Sequence, residues 1–428
     1  MRKTLYYWLC CLSVIVSCSP LKRNLDKKFK DTEHLFQDHT GFMLYDLAER
    51  KTIYEYNAAK YFTPASNTKI FTLYASLNIL RDSIPALKYE VSGDTLFFWG
   101  TGDPSFLYHN VFDNGRTYSF LKNTEKILCF SSNNFQTTSF GAGWAWDDYN
   151  DYYSAERSPL PVYGNVFSVK YDGSQVAIEP PYFMKNLSFG HEESSPKLIR
   201  NVDNNGFKFY PSSSTTFETD IPFKVDAALT SELVMDTLKK DVRQADRPLP
   251  QTARILYSIP ADSLYRVMMQ DSDNFIAEQL LLICAGVLSD TLKPEIAIKY
   301  TIDNFMTDLP DRPLWVDGSG LSRYNLFTPR SIVRLWEKIY ELVPRDRLFA
   351  LLAVGGKSGT IKNWYKTDRP YIFGKTGSLS NNHSLSGYLV TRKGKTLIFS
   401  FMNSNFTVSG SDVRRNMQTI LNSIYEKY

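Results

Sequence analysis

After its first forty residues, the chain alternates between apolar and polar positions. Residues 41–56 read GFMLYDLAERKTIYEY, and this two-residue period predicts two β-strands joined by a turn at Glu49-Arg50. Pro64 ends the strand pattern. A helical period follows, which predicts a buried helix with Ser66 in its first turn and apolar positions at Ile70, Leu73, Leu77 and Leu80.

The middle of the chain has a different texture. Residues 85–224 consist of short aromatic and β-branched runs, such as DTLFFWG and NVFSVKYDG, separated by Gly, Asn, Asp and Pro, which predicts a β-rich insertion. Helical spacing returns in LTSELVMDTLKKDV and in DSDNFIAEQLLLICAGVL. Three predicted strands follow in YIFGKTGSL, SLSGYLV and TLIFSFMN, the last two forming a hairpin turned at Lys393-Gly394, and a final helix begins at Ser411.

These patterns together predict an α/β protein of the α+β type. We expect the opening and closing strands to pair in one antiparallel sheet flanked by helices, with the helix of Ser66 packed on it and the β-rich segment inserted between them. A chain of 428 residues can bury a substantial core and is long enough for two or three domains.

The balance of charge excludes one class of partner. The chain has 49 Lys and Arg against 45 Asp and Glu, which gives a formal net charge of +4 without a dominant basic stripe. Because binding to a phosphate backbone depends on concentrated positive charge, we do not expect nucleic acid to be a partner.

The N-terminus predicts export. Arg2 and Lys3 precede an apolar run, from Leu5 to Val16, that is too short to span a bilayer comfortably. The run ends in IVSC, which resembles the lipobox of bacterial lipoproteins, in which the cysteine is lipidated and becomes the new N-terminus. Cys18 would then anchor the protein to a membrane, and an ordinary signal peptide cleaved nearby is the alternative. We therefore predict an exported, periplasmic protein that is lipid-anchored to the cell envelope.

Few cysteines remain in the mature chain. Removal of the signal deletes Cys10 and Cys11, and lipidation uses Cys18, so the folded body keeps only Cys129 and Cys284. These two have no metal-ligand spacing, and we predict neither a metal nor a cofactor. Cys284 lies in an apolar run and is expected in the core. The sequence does not decide whether Cys129 and Cys284 form a disulfide.

A serine and a lysine three residues apart provide the first candidate chemistry. A serine hydroxyl needs an adjacent base to become a nucleophile, and none of the five histidines stands in a nucleophile-elbow setting. A lysine can take the proton when burial and a second positive charge lower its pKa. On a helix, Ser66 and Lys69 lie on the same face, so Lys69 is the predicted base for Ser66.

Two further motifs occur in the order that such a site requires. Ser272-Asp273-Asn274 precedes a helical run, and Lys375-Thr376-Gly377 lies on a predicted strand. Ser-x-x-Lys, Ser-Asp-Asn and Lys-Thr-Gly together are the signature of class A β-lactamases and penicillin-binding proteins. Taken singly, each motif is better explained as a helix cap or a solvated strand lysine, and Lys357-Ser358-Gly359 imitates the third motif without a strand. It is the joint occurrence of the three that favours catalysis.

Longer strings extend the resemblance to nearly the whole mature chain. GTGDPSF (100–106), VDGSGLSRYNLFTP (316–329) and GKTGSLSNNHSLSGYLV (374–390) resemble the low-molecular-mass class C penicillin-binding proteins, the D-alanyl-D-alanine carboxypeptidase/endopeptidase family. The resemblance implies a β-lactamase/transpeptidase-like domain interrupted by an inserted domain. We accordingly predict a division of the chain into a signal peptide (1–18), a polar tether (19–40), the catalytic domain (41–84 and 225–428) and the insertion (85–224).

The resemblance also implies roles for single residues. Ser66 would attack the carbonyl between the two terminal D-alanines of a peptidoglycan stem peptide, with Lys69 as base and Ser272 and Lys375 relaying the proton to the leaving amine. Asn274 would hold the acyl-side amide and space Lys69. The substrate carboxylate would be received by Lys375 together with Thr376 and Ser378, while Gly377 would let the strand approach the ligand. β-Lactams would acylate the same serine.

Two other functions fit the same motifs. A serine β-lactamase or esterase would turn penicillin over rapidly, in place of forming a long-lived adduct. A non-catalytic sensor of the cell wall or of antibiotics would retain the fold and could be acylated without turnover.

Overall fold

The computed structural model describes residues 20–212 and 215–428. Its α-helices within these ranges are α1 (Pro20–Phe36), α2 (Lys69–Ile79), α3 (Arg116–Asn123), α4 (Ala227–Leu238), α5 (Ala261–Gln270), α6 (Asn274–Ser289), α7 (Pro294–Phe305), α8 (Pro329–Leu342), α9 (Arg345–Leu351) and α10 (Gly410–Lys427). Its strands are β1 (His39–Asp46), β2 (Lys51–Tyr56), β3 (Ser83–Ser92), β4 (Thr95–Gly100), β5 (Ile127–Ser131), β6 (Val166–Tyr171), β7 (Val176–Glu179), β8 (Leu187–Phe189), β9 (Lys197–Arg200), β10 (Phe207–Tyr210), β11 (Phe217–Pro222), β12 (Val242–Gln244), β13 (Arg254–Pro260), β14 (Ala353–Val354), β15 (Ile372–Leu379), β16 (Asn382–Val390) and β17 (Thr396–Ser404). None of the helices so described combines the length and the apolar content that a membrane span requires.

The main sheet joins the two ends of the chain. Its strand order is β14-β15-β16-β17-β1-β2, and every neighbouring pair is antiparallel. β1 lies beside β17, with His39 opposite Ser404 and Asp46 opposite Leu397. The predicted pairing of the opening and closing strands in one antiparallel sheet is therefore confirmed.

Helices cover both faces of this sheet. On one face α6 is buried along most of its length, as its almost uniformly apolar sequence NFIAEQLLLICAGVLS requires, and it shares a core with α2, α5, α7 and α8. On the other face α1 and α10 pack against the sheet around a second core. The site described below lies at the edge of β15, where the 3-10 turn before α2 contacts the sheet.

One segment differs from its prediction. Residues 19–40 were predicted to form a polar tether, but helix α1 occupies most of this range. Leu25, Phe29 and Phe36 are buried on one side of α1, and the ring of Phe29 lies 4.8 Å from that of Phe42 in β1. The tether prediction is wrong for this part of the chain. The apolar residues of α1 form one narrow face among many charged residues, so the sequence looked polar throughout.

The β-rich insertion has its own sheets and core. A five-stranded sheet has the order β12-β5-β4-β3-β13, and two three-stranded sheets have the orders β11-β6-β7 and β8-β10-β9. A separate hydrophobic cluster joins these sheets to α4 through Leu233, Val234 and Leu238.

The second boundary of the insertion lies later than predicted. Helix α4 and strand β12 belong to the core and the sheet of the insertion, and β13 pairs with β3. The chain therefore returns to the catalytic domain near residue 261, not at residue 225. The first boundary, predicted at residue 85, lies close to the start of β3.

Candidate active site

The three predicted motifs meet in one cleft of about 700 Å³. Among the residues that line it are the predicted nucleophile, the Ser-Asp-Asn turn and the end of the Lys-Thr-Gly strand: Ser66, Ser272, Asp273, Asn274, Thr376 and Ser378. Lys69 and Lys375 lie beneath its floor, fully buried. The first and third motifs are more than 300 residues apart in the sequence, and the fold brings all three into hydrogen-bonding contact.

Ser66 lies in a short 3-10 helix, Ala65–Thr68, that leads directly into α2. The predicted helical relation between Ser66 and Lys69 holds, although the α-helix itself begins at Lys69. Gly320 packs against this turn with φ +87°, and a Cβ atom there would lie 1.9 Å from the carbonyl oxygen of Ala65. Only glycine permits that approach, so the turn that presents Ser66 depends on the Gly320 loop.

Within the described part of the chain, the Lys69 amine has three hydrogen-bond acceptors, and none of them is a carboxylate. Its Nζ atom donates to Ser66 Oγ at 2.9 Å, to Asn274 Oδ1 at 2.6 Å and to the carbonyl oxygen of Ser319 at 2.7 Å. Three neutral acceptors orient the amine without the full stabilisation that an ion pair would give to its charged form. The amine is therefore held against the hydroxyl from which it would take a proton.

Burial is the main reason that Lys69 is a usable base. Desolvation lowers the pKa of Lys69 to about 8, and the charges of Asp317, Asp273 and Glu278 oppose this shift. The sequence interpretation expected a second positive charge to lower the pKa of Lys69. In the structure it is the charge of Lys69 that lowers the pKa of Lys375. Burial first, and the charge of Lys69 second, hold the pKa of Lys375 well below its usual range.

The Ser-Asp-Asn turn places its three side chains in different roles. Asp273 caps α6 by accepting from the backbone N–H of Ile276 at 2.8 Å, so the alternative in which Ser272 is a helix cap does not hold. Asn274 faces Lys69 with its oxygen, and its Nδ2 donates to the carbonyl oxygen of Tyr153 at 3.0 Å. The insertion, which contains Tyr153, therefore helps to fix the Asn274 amide.

Lys375 links the second and third motifs. Its Nζ atom donates to Ser272 Oγ at 2.7 Å and to the carbonyl oxygen of Thr376 at 2.8 Å. Its own carbonyl oxygen accepts from Asn67 Nδ2 at 3.0 Å, which ties strand β15 to the turn that contains Ser66. The predicted alternative, a solvated strand lysine, does not apply to this buried side chain.

The remaining residues of the third motif border the cleft. Thr376 Oγ1 donates to Thr360 Oγ1 at 2.7 Å, and Ser378 is exposed in the cleft. A Cβ atom on Gly377 would lie 2.4 Å from the carbonyl oxygen of Pro64 and 2.6 Å from Ser384 Oγ. Gly377 thus lets the strand approach the nucleophile turn, whereas the sequence interpretation assigned that close approach to the ligand.

Sequence reasoning missed the loop that holds Lys69 from below. Asp317 accepts hydrogen bonds from the backbone N–H groups of Gly320 and Ser322, and Ser319 N–H donates to Glu278 Oε1 at 2.7 Å. This arrangement aims the Ser319 carbonyl at Lys69. The string DGSGLSR marked the loop as a family feature, but a backbone acceptor has no side-chain signal that could reveal its role.

The other candidates lie apart from the site or outside the described residues. Lys357 is exposed in a turn, so the imitation of the third motif does not form a site. Cys129 and Cys284 are both buried free thiols, which excludes the disulfide that the sequence left open. Cys18 and the predicted signal peptide fall outside the part of the chain that the structure describes.

An antiparallel sheet flanked by helices, with a Ser-Lys pair whose lysine is buried, a Ser-Asp-Asn turn and a Lys-Thr-Gly strand around one cleft, defines the class of penicillin-recognising serine enzymes. Within that class the chain belongs to one family. Residues 21–427 match the family model described as the D-Ala-D-Ala carboxypeptidase 3 (S13) family.

Individual relatives agree with this assignment. The chain is 24% identical over 415 residues to D-alanyl-D-alanine carboxypeptidase DacB of Haemophilus influenzae, and the match covers 84% of each chain. The crystal structure of penicillin binding protein 4 from the same species has a TM-score of 0.76, at 20% identity, and the match covers 93% of this chain and 99% of that one. The same protein complexed with a β-lactam has a TM-score of 0.70, at 18% identity, with the same coverage. At these identities the two structures support the fold.

The predicted family and fold class, and the enzyme class of D-Ala-D-Ala carboxypeptidases that follows from the family, are confirmed. The roles of single residues, the lipid anchor at Cys18 and the location in the cell envelope stay predictions.

Proposed function

We propose that this protein removes the terminal D-alanine from peptidoglycan stem peptides through an acyl-enzyme on Ser66, and that it cleaves D-alanyl cross-links by the same chemistry. The family supplies the reaction class. The observation that favours Ser66 as nucleophile is the 2.9 Å contact between its Oγ and the Nζ of the buried Lys69, in a cleft wide enough for a peptide.

In the first step Ser66 Oγ bonds to the carbonyl carbon between the two D-alanines, and its proton passes to the neutral Lys69 amine. With a pKa of about 8, about one Lys69 in ten is neutral at pH 7. Asn274 and the Ser319 carbonyl hold the amine in line for this transfer. The geometry supports general-base catalysis within one helical turn.

Collapse of the tetrahedral intermediate breaks the C–N bond and releases D-alanine. The leaving amine needs a proton, and Ser272 Oγ, hydrogen-bonded to Lys375 Nζ at 2.7 Å, is placed to relay to it the proton that Lys69 took from Ser66, which returns Lys69 to its neutral form. The developing oxyanion would be met by the backbone N–H groups of Ser66 and Ser378. Water then hydrolyses the ester on Ser66 and regenerates the enzyme.

Substrate recognition falls to the edge of β15. Thr376 and Ser378 offer hydroxyl groups at the cleft, and Lys375 lies buried behind them, so a terminal carboxylate is the group that this edge suits. Gly377 keeps the strand close to the nucleophile turn. β-Lactams, which have a carboxylate beside the reactive amide, would bind in the same way and acylate Ser66.

The site of action follows from the N-terminus. An export signal ending at a lipobox-like cysteine favours a periplasmic protein anchored to the cell envelope through lipid on Cys18, where peptidoglycan is available. Replacement of Cys18 by Ala should release the protein from membranes, and unchanged membrane partition would reject the anchor.

The assignment of Ser66 is tested by covalent labelling with a fluorescent penicillin. Wild-type protein should gain one adduct, and peptide mapping should locate it on Ser66. The Ser66→Ala variant should gain none, whereas Ser380→Ala, a change at another serine that lines the cleft, should label normally. An adduct that persists in Ser66→Ala would exclude Ser66 as the nucleophile.

A further inference from the structure

A histidine lies directly behind the hydroxyl that we assign to carboxylate binding. Ser378 near the end of β15 and His383 near the start of β16 are opposite each other in the antiparallel ladder. Ser378 Oγ and His383 Nδ1 are 2.8 Å apart. Ser378 is exposed in the cleft, whereas the His383 residue is only 4% exposed. A buried ring in a paired strand has little freedom to turn away from the serine.

The ring is surrounded by few charges. On the two neighbouring strands His383 is opposite Ser378 and Asn403, neither of which ionises. The charged group that acts on it is Arg414 of α10, which lines the same cleft. Burial first, and Arg414 second, lower the pKa of His383 to about 3, so the imidazole is neutral across the range in which enzymes of this kind are assayed.

A neutral imidazole has one N–H group, and its position decides what Ser378 can do. If Nε2 has the proton, Nδ1 must accept from the Ser378 hydroxyl, and the serine presents only lone pairs to the cleft. If Nδ1 has the proton, it donates to Ser378 Oγ, and the serine proton is free to point into the cleft. An anionic carboxylate is repelled in the first arrangement and receives a hydrogen bond in the second.

We propose that His383 is a positioning residue that donates from Nδ1 to Ser378 Oγ and thereby directs the Ser378 hydroxyl proton at the terminal carboxylate of the substrate. The inference rests on the proposed function, because it assumes that the carboxylate of a D-alanyl peptide is bound at Ser378. His383 acts through Ser378 and takes no part in the bond-breaking steps. It makes a freely rotating hydroxyl into a donor of fixed direction, and so contributes to the preference for a free C-terminus.

A double-mutant cycle between the two residues tests this role. Release of the C-terminal residue is measured with a synthetic pentapeptide ending in D-Ala-D-Ala, which yields D-alanine, and with its C-terminal amide, which yields D-alaninamide. For the carboxylate peptide, His383→Phe should raise KM about tenfold, the scale of one hydrogen bond to a charged group, with kcat changed by less than about threefold. KM for the amide peptide should change little. His383→Asn, whose amide N–H can reach Ser378 in place of Nδ1, should recover most of the loss.

The Ser378→Ala background separates positioning from a general effect on the fold. In that background His383→Phe should have no further effect on KM, because no hydroxyl is left to direct. His383→Val, a strand-forming residue without a ring, repeats the cycle with a different packing. A rise in KM that is equal for both peptides, or that persists in Ser378→Ala, would overturn the inference. Absence of D-alanine release by the wild-type protein would overturn the proposed function, and the inference with it.

Discussion

The acylation rate should follow the protonation state of Lys69. Its neutral amine is the proposed base, so acylation should rise with pH until the amine is fully deprotonated and then become constant. Burial lowers the pKa of Lys69 from 10.5 to about 8. The midpoint of the rise should therefore lie near pH 8, far below that of an exposed lysine.

The size of the effect follows from the neutral fraction. A group with a pKa of about 8 is about 1% neutral at pH 6, about 9% at pH 7 and about 90% at pH 9. We therefore expect the acylation rate constant to rise about ninefold from pH 6 to pH 7 and less than about twofold from pH 8 to pH 9. A lysine with an ordinary pKa would give a tenfold rise at every step up to pH 9.

The assay is stopped-flow acylation by a chromogenic cephalosporin at concentrations well below saturation, from pH 6 to pH 9.5. Lys69→Arg, which keeps the charge but cannot release its proton, should be slower by about three orders of magnitude and lose the rise. Burial also raises the pKa of Glu278 to about 7, so Glu278 titrates in the same range. The Glu278→Gln variant should keep the rise and shift it to lower pH, because a negative charge near Lys69 is removed. A rate that does not vary from pH 6 to pH 9, or a midpoint near 10.5, would refute the assignment of Lys69.

Three further predictions concern the parts that hold the site. In Asn274→Asp a carboxylate would replace the amide oxygen 2.6 Å from the Lys69 amine, so the rise in acylation should move to higher pH by at least about one unit. Gly320→Ala should lower the free energy of unfolding by at least about 2 kcal/mol in urea titrations, and should cost more than Gly394→Ala, which has a similar φ of +86° but open space around it. Phe29→Ala in α1 should cost about 3 to 5 kcal/mol in the same titration, because its ring is fully buried.

Each of these has a clear contrary result. An unshifted pH profile in Asn274→Asp would mean that this side chain does not control the charge of the amine. Equal losses of stability in the two glycine variants would mean that the positive φ angle accounts for the whole cost. The close contact between Gly320 and the nucleophile turn would then contribute nothing to stability. A change below about 1 kcal/mol for Phe29→Ala would restore the view of that segment as a tether.

The sequence was most informative where side chains would carry out the proposed chemistry. Ser66, Lys69, Ser272, Asn274 and Lys375 were identified because their types and order are chemically specific, and the structure brings them together. Five of the six strands of the main sheet were predicted from their apolar patterns, whereas β14, which is only two residues long, was not.

The sequence was least informative where backbone groups, or a narrow apolar face of a helix, determine the structure. The carbonyl of Ser319 holds Lys69 without any side-chain signal. A glycine at position 377 indicates that another group approaches the strand closely, but the sequence does not show which group. In the structure it is the turn at Pro64. Helix α1 was hidden because its apolar residues lie in one stripe among many charges, and the end of the insertion was misplaced because helix α4 fits either core by composition.

Ser66 and Lys69 are proposed to act together in removing D-alanine from a stem peptide. The most direct measurement is mass spectrometry of a defined muropeptide ending in D-Ala-D-Ala, incubated with the wild-type protein, Ser66→Ala and Lys69→Arg. The wild type should shorten the peptide by one alanine, and the two variants should leave it intact over the same time. A peptide left whole by the wild type, or shortened equally by Ser66→Ala, would contradict the account.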